Sequence, residues 1–249
     1  MSRMSARTVM FGLLTVLAAG ICVRLGIWQL DRLGERRTKN ALVLARRTTA
    51  PVSVSEVQGQ DTSAIHWRHV TVHGVADYSA ELLHATRSQS GSVGVHLLTP
   101  VRPLDGAWGD TAIVVIRGFV NAPDGRTIDF ATARDADTLT FDALVTEFPP
   151  PVAGAVRMPS AERDVRVLDR DTLQTMMHRP LAPFVLLALG DTVQRDVSRP
   201  TRVPPPSLSE GSHKSYAFQW FAFATVFCIG FVAVARSDAR RAEQRALGH

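Results

Sequence analysis

Two apolar segments near the ends of the 249-residue chain constrain its fold more than any other feature. The first, from Thr8 to Trp28, has 21 residues with Arg24 as its one charge, and the second, from Tyr216 to Ala235, has 20 residues and no charge. Since a helix rises ~1.5 Å per residue, either segment is long enough to cross the ~30 Å hydrocarbon core of a bilayer. Arg24 lies one turn from the end of its segment, where a long side chain can reach the interface. The sequence therefore predicts a membrane protein with two transmembrane α-helices, at residues 8–28 and 216–235.

A cleavable signal peptide is the alternative interpretation of the first segment. Arg3 and Arg7 give it a positively charged start, and the small residues at 18–20 are compatible with a cleavage site. The retained helix is the preferred interpretation, and the mass of the mature N-terminus distinguishes the two.

The charges beside the apolar segments predict their orientation. Arginines stand before the first segment and after the second, which by the positive-inside rule places both termini in the cytoplasm, including a basic tail at residues 236–249. Four basic residues just after the first segment oppose this assignment, but long domains translocate largely regardless of their charge. We therefore expect a multi-pass protein of the inner (plasma) membrane, in contact with the lipid bilayer, whose central domain is periplasmic. The basic residues concerned are Arg3, Arg7, Arg236, Arg240, Arg241 and Arg245 outside the segments, and Arg32, Arg36, Arg37 and Lys39 after the first.

The middle of the chain, residues 40–198, has the length and composition of one ordinary soluble domain. Apolar residues alternate or cluster there in runs of strand length, turn residues separate the runs, and the helical period is largely missing. The sequence therefore predicts an extracytoplasmic α+β domain that is mainly antiparallel β. The predicted strands are Trp67–Gly74, Glu81–Arg87, Val93–Val101, Ala112–Val120, Thr138–Phe148 and Phe184–Gly190.

Two further patterns complete the predicted organisation. Residues 171–178 suit a short helix, which Asp169 or Asp171 can cap. The prolines at 149–151 interrupt the strand pattern, and the Pro-rich residues 199–212 predict an extended connector to the second apolar segment.

Charge and motifs exclude several classes of function. The net charge of +5 and the pI of about 10.0 come from basic residues that flank the apolar segments or alternate with acids, so no nucleic-acid groove is predicted. Cys22 and Cys228 lie within the apolar segments, which excludes a disulfide framework, a CxxC metal site and a covalent CxxCH haem attachment. A nucleophile elbow, an HExxH motif and a phosphate loop are all missing, so we expect neither a catalytic residue nor enzymatic turnover.

Histidines near the first predicted strand allow a metal site as one interpretation. His66, His69 and His73 are close in sequence, and the period of a strand puts His69 and His73 on one face. Because no third ligand of suitable spacing is in view, the preferred interpretation is a solvated face opposite Val70 and Val72.

Arg117 interrupts an otherwise apolar strand in the run VIRGFV. It either faces outward, which is the default, or pairs with a buried acid. With Gly118 it forms an Arg-Gly pair at the predicted end of a strand, which also suits a turn that another molecule approaches closely.

The run HKSYAFQWF leads into the second apolar segment and contains the most informative spacing. Positions 213, 216, 217 and 220 recur at i, i+3, i+4 and i+7, so they share one helical face. His213, Tyr216 and Trp220 then form either an aromatic belt with an incidental histidine, or an imidazole ligand for a haem iron beside a flat apolar wall.

Four blocks of the sequence carry a family resemblance: GIWQLDR at 26–32, WRHVTVHG at 67–74, GVHLLTP at 94–100 with VVIRGFV at 114–120, and HKSYAFQWFAFA at 213–224. In this order they resemble the Surfeit-locus-one family of cytochrome c oxidase assembly factors. Trp67 replaces the usual Tyr in the second block, Arg36 replaces a usual Lys after the first, and Gly211 and Ser212 replace a usual Asn-Asn before the last. The segment at 165–173 lacks the family's Trp.

The resemblance implies two helices around an outward domain and a role in the biogenesis of haem-copper oxidase. It implies that the protein receives haem a from haem A synthase and promotes its insertion into the catalytic subunit of cytochrome c oxidase. Two alternatives stay open: a scaffold that stabilises an oxidase intermediate without touching haem, and an unrelated envelope interaction module. The implied haem contacts are His213, Tyr216 and Trp220, and the implied partner or structural positions are Trp28, Gln29, Arg32, Arg117 and Gly118.

Overall fold

The computed structural model describes residues 6–150, 163–190, 192 and 199–247, so Arg3 and Pro151 of the sequence predictions lie outside the described residues. The chain divides into two compact units, one made of Met1–Leu42 with Leu208–His249, and the other of Val43–Ser207. The helices are α1 Ala6–Thr48, α2 Thr62–Ile65, α3 Arg170–Met177 and α4 His213–Leu247, and the strands are β1 Val52–Ser53, β2 His69–Ala76, β3 Leu82–Gln89, β4 Ser92–Pro103, β5 Ala112–Asn121, β6 Thr138–Glu147, β7 Asp164–Val165 and β8 Leu181–Ala188.

Both apolar segments are helical, and both helices are longer than the sequence predicts. Each is long and apolar enough to cross a membrane, by length and composition. Helix α1 continues twenty residues past Trp28, because residues 29–48 contain no proline and the next one is Pro51. Helix α4 begins three residues before Tyr216 and continues past Ala235. The two helices are confirmed, and their membrane location and orientation stay predictions.

Small residues let α1 and α4 approach each other closely. A Cβ atom on Gly26 would lie 2.7 Å from the ring of Phe221, and one on Gly12 would lie 2.9 Å from the ring of Phe231. Ala217 and Ala224 of α4, in the same unit, are also buried, at 2% and 7% exposure. Close backbone approach at small residues is the usual basis of helix pairing in lipid.

The second unit is built on a closed β-barrel. Its strands follow the order β1-β2-β6-β8-β5-β4-β3-β7, and an additional pairing of β2 with β4 closes five of them, β2, β6, β8, β5 and β4, into a ring. Neighbours in the described sheet pair antiparallel except for β1 with β2, β3 with β7, and β5 with β8. The prediction of a mainly antiparallel β domain is therefore confirmed, and the barrel closure is an addition to it.

The predicted strands and the short helix occur where the sequence indicates them. All six strand runs overlap β2 to β6 and β8, with bounds that differ by a few residues. Helix α3 begins after Asp169, whose carboxylate accepts a hydrogen bond from the Thr172 backbone N–H at 2.9 Å. Leu173 and Met177 are its buried residues. The two-residue strands β1 and β7 and the single turn α2 have no pattern long enough to be predicted.

Strand β5 is buried on both faces, which explains why its first five residues, 112–116, are all apolar. Ile113 and Val115 belong to the largest hydrophobic cluster, whereas Ala112 and Val114 belong to a second cluster that α3 covers. In the first cluster the ring of Trp108 packs edge-on against Phe184, with centroids 5.7 Å apart. Each fully buried aliphatic side chain of β5 contributes roughly 1.5–3 kcal/mol to the free energy of unfolding. The barrel is therefore the stable platform of the second unit.

Candidate functional site

His213 and Gln29 meet within the first unit. His213 is the first residue of α4, and its Nδ1 lies 2.8 Å from Oε1 of Gln29 on α1. Since an amide oxygen only accepts hydrogen bonds, Nδ1 carries the proton and donates it. The lone pair of the neutral ring then lies on Nε2, for which the described part of the chain provides no partner. The arrangement presents one imidazole nitrogen that is able to bind a metal.

The segment before His213 is fastened to α1 by polar contacts in the same unit. Arg37 donates two hydrogen bonds to the carboxylate of Glu210, at 2.7 and 2.9 Å. Arg36 donates to the carbonyl oxygen of Ser209 at 3.2 Å, and Asn40 donates to that of Leu208 at 2.8 Å. The start of α4 is thus held at several successive residues.

Gly211 allows the turn that brings the chain into α4. Its φ of +72° belongs to the left-handed region, and a Cβ atom there would lie 3.5 Å from Cδ2 and 3.7 Å from Nε2 of His213. Glycine adopts this conformation without strain, and asparagine tolerates it. The departure from the family's asparagine at this position therefore preserves the backbone conformation.

The aromatic residues at the two sequence blocks that Gln29 and His213 belong to are partly exposed. The side chains of Tyr216 and Trp28 are 47% and 46% exposed, and Trp220 is half-buried with its ring edge-on to Phe223, centroids 6.0 Å apart. Ala217, on the same predicted face, is buried. The face is therefore divided, with Ala217 packed inside the helix pair and Tyr216 open to a ligand or to lipid.

Arg32 takes no part in the contacts around His213. Its guanidinium pairs with Glu35 on the same helix, with 2.7 Å between Nη1 and Oε2, and both side chains are about half exposed.

Arg117 is buried, so the default prediction that it faces outward is wrong. Its side chain is 1% exposed and its Nη2 lies 3.0 Å from Oε2 of Glu81, which is also 1% exposed. Its Nη1 lies 2.8 Å from Oδ2 of Asp135, and its Nε donates to the Thr99 hydroxyl oxygen at 3.2 Å. The period of β5 puts Arg117 on the same inward face as Ile113. The alternative that it pairs with a buried acid is confirmed.

Gly118 lies within β5 and not at its end, so that prediction is also wrong. The segment that approaches it closely belongs to the same chain, since a Cβ atom on Gly118 would lie 2.8 Å from the carbonyl oxygen of Thr201 and 2.9 Å from Cβ of Pro200. Thr201 and Phe119 exchange backbone hydrogen bonds of 2.7 and 2.8 Å. The beginning of the Pro-rich connector is thus paired to β5 as a short extended segment, beyond the point where β8 ends.

His69 and His73 lie on the face of β2 opposite Val70 and Val72, as the period of a strand predicts. Val70 and Val72 are fully buried, whereas His69 is half-buried and His73 is exposed on the opposite face. His69 lies 3.5 Å from Asp142, and His73 shares a hydrogen bond of 2.8 Å with Thr140. Within residues 6–150, 163–190, 192 and 199–247, no three His, Cys, Asp or Glu side chains gather as a metal site would require.

Sequence reasoning missed a pair of histidines in the sheet, of which His84 is buried and His96 is half-buried. His84 on β3 and His96 on β4 are directly opposed, with ring centroids 5.9 Å apart. Burial, reinforced by the nearby charge of Arg87, lowers the pKa of His84 to about 3 and that of His96 to about 4. The available signal was the position of each histidine inside an apolar strand run.

Fold and site together define a class of proteins in which a β-barrel domain lies, in sequence, between two long apolar helices. The two helices pair through glycines and are joined by an imidazole–amide contact. The model of the SURF1 family matches residues 16–225, and the chain belongs to this family. The match covers most of the chain and includes all four blocks on which the resemblance rests.

Several relatives are similar over most of their length. A SURF1-like protein of Rickettsia felis is 22% identical over 231 residues, which cover 90% of this chain and 96% of the relative. A SURF1-like protein of Rickettsia bellii is 25% identical, with 89% of each chain covered. A SURF1-like protein of Mycobacterium bovis is 27% identical, with 87% of this chain and 79% of the relative covered. The SURF1 family is a family of assembly factors, generally linked to cytochrome oxidase assembly and not known as enzymes.

Proposed function

We propose that this protein is an assembly factor for haem-copper (cytochrome c) oxidase that carries haem a. It receives haem a from haem A synthase and promotes its insertion into the catalytic subunit. The observation that carries the proposal is the hydrogen bond from His213 Nδ1 to Gln29, which leaves Nε2 as a free nitrogen ligand. An imidazole whose second nitrogen is fixed by a carbonyl-type oxygen is the usual form of an axial haem ligand.

The surroundings of His213 suit a carrier, which must bind its cargo and then release it. The exposed Tyr216, one turn along α4 from His213, offers apolar contact to a macrocycle without enclosing it. The half-buried Trp220 lies two turns along the same helix. A single imidazole ligand with open aromatic contacts is compatible with transfer, because the acceptor can replace these contacts stepwise.

The proposed location is the inner membrane, with both termini in the cytoplasm and the barrel in the periplasm. Two helices of sufficient length and hydropathy support it, together with the arginines beyond the second apolar segment. A reporter enzyme that works only in the periplasm, inserted at the exposed turn containing Gly106, should show activity. A reporter enzyme that works only in the cytosol should show no activity at the same turn, and activity there would overturn this topology.

A visible absorption spectrum of the full-length protein tests the haem proposal. The protein should be purified in detergent from cells that synthesise haem a, as wild type, as His213→Ala and as the control His73→Ala, which removes an exposed histidine of the barrel. Wild type and control should show haem a bands, and His213→Ala should lose most of them. An unchanged His213→Ala spectrum would refute the assigned ligand.

Oxidase assembly itself is tested in cells. Deleting the gene should lower both assembled oxidase and its haem a content, and wild-type protein should restore them. Full restoration by a His213→Ala protein that binds no haem would favour the scaffold, because assembly would then depend on protein contacts alone. A normal content of oxidase and haem a after deletion would contradict any role in assembly.

A further inference from the structure

We infer that Gln29 is a positioning residue for His213: it fixes the imidazole as its Nδ1–H tautomer, so that Nε2 is the nitrogen presented to an iron. The tautomer is inferred from the contact between His213 and Gln29 alone, whereas its consequence for haem binding rests on the proposed function above. Gln29 is otherwise only a position in a sequence block that resembles the family, and the contact gives it a chemical role.

The chemistry of the contact determines which nitrogen is free. A neutral imidazole carries one proton, and only the other nitrogen has the lone pair that binds a metal. Oε1 of Gln29 lies 2.8 Å from Nδ1 and can only accept, so it stabilises the tautomer whose proton is on Nδ1. The reverse orientation of the amide would place its NH2 group against Nδ1 and put the ring proton on Nε2, which would block Nε2 as a ligand.

Packing holds the two side chains in register. Gly26, about one turn before Gln29 on α1, lies directly against the ring of Phe221, about two turns into α4. Beyond Gln29 on the same helix, Arg37 and Asn40 fasten the residues that precede His213. Contacts between α1 and the residues on either side of the start of α4 therefore lie both before and after Gln29, and both Gln29 and His213 are half-buried. This is the arrangement of an outer partner that orients a metal-binding histidine.

A measurement on the haem-free protein tests the tautomer directly. The full-length chain, labelled with 15N at histidine and kept in detergent at neutral pH, is studied by long-range proton–nitrogen correlation NMR, with the His213 signals assigned by their loss in His213→Ala. Wild type should show the proton on Nδ1. Gln29→Leu removes the acceptor and should move the signal towards the Nε2–H form, whereas Gln29→Glu keeps an acceptor and should retain Nδ1–H. A wild-type proton on Nε2 would overturn the inference.

Titration with ferric haem a tests the consequence for binding. Loss of an outer partner of a metal-binding histidine typically weakens metal affinity by about 10–100-fold, which is the loss expected for Gln29→Leu. Gln29→Glu should bind at least as tightly as wild type and lower the reduction potential of the bound haem, because a carboxylate makes the imidazole a stronger donor. Equal affinity and potential in wild type and Gln29→Leu would refute the role of Gln29.

Two comparisons separate a positioning role from a folding defect and from failure of the proposed function. Gln219→Leu makes the same chemical change at an exposed position of α4 and should leave both the NMR signals and haem affinity unchanged. If His213→Ala binds haem a as wild type does, the proposed ligand fails while the tautomer result still stands. If His213→Ala loses haem binding and Gln29→Leu does not, the present inference alone fails.

Discussion

Replacing Arg117 with Met should destabilise the barrel by about 3–5 kcal/mol, the usual cost of removing one partner from a buried ion pair. The substitution leaves the carboxylate of Glu81 at 1% exposure, with the Thr99 hydroxyl as its remaining described donor. Asp135 contributes less to the loss, because at 39% exposure its carboxylate can regain water. The expected cost therefore comes mainly from stranding the charge of Glu81.

Thermal unfolding in detergent, followed by tryptophan fluorescence, measures this cost. Trp108 is a suitable reporter because it is 6% exposed and packs on Phe184 in the core. A domain of ~150–250 residues loses about 2–4 °C of Tm per kcal/mol, so Arg117→Met should lower Tm by roughly 6–20 °C. The matched control is Arg134→Met, which breaks an exposed ion pair with Asp137 and should change Tm little.

A double substitution tests whether the stranded charge is the cause. Arg117→Met combined with Glu81→Leu removes both charges and should recover much of the lost stability, since an apolar pair of similar volume often replaces a buried ion pair at little cost. A Tm for Arg117→Met equal to that of the exposed control would refute the argument. So would a double variant that is no more stable than Arg117→Met alone.

Three further predictions follow from close packing and from the pair formed by His84 and His96. Gly118→Ala should displace the start of the Pro-rich connector, because the new methyl group would lie 2.8 Å from a connector carbonyl oxygen, and limited proteolysis should then cut near residues 199–207 faster than in wild type. Gly26→Ala should weaken the α1–α4 pairing, since its methyl group would lie 2.7 Å from an aromatic ring, whereas Gly20→Ala, with no atom within 4 Å, should not; a lower Tm of the detergent-solubilised chain for Gly26→Ala alone is the expected result. The barrel should lose stability as the pH falls from about 6.5 towards 4, because His84 and His96 stay neutral when folded and bind protons when unfolded. Each histidine contributes up to about 1.4 kcal/mol per pH unit, and urea unfolding at pH 7.5 and 5 should show a smaller difference for His84→Leu than for wild type.

The strands of the barrel could be predicted because their signals are local. Alternation of apolar residues within β2 and β6 requires no knowledge of the rest of the chain, and the cap at Asp169 depends only on its next three residues. The closure of the ring was not predictable in this way. It depends on β8 pairing in parallel with β5, a partner that no local pattern identifies.

The site residues show the same division between local and distant causes. Gln29 and His213 each stand out in the sequence, but their hydrogen bond joins positions 184 residues apart and appears only in the folded chain. The default prediction for Arg117 was wrong because its acid, Glu81, comes from a distant part of the chain, just before β3. A charge in an apolar strand indicates two opposite environments until its partner is known.

The place of β8 in the ring has a consequence for how the domain is made. Of the eight described strands, β8 comes last in the chain, yet it lies between β5 and β6 in the sheet. The ribosome therefore synthesises this central strand after both of the strands it pairs with. Until residue 188 has emerged, β5 and β6 present bare edges to any other extended chain, a condition that invites aggregation. A chain that ends before Leu181 should therefore lack β8, leave the ring open and aggregate. A chain that ends after Ser207 keeps all the described strands.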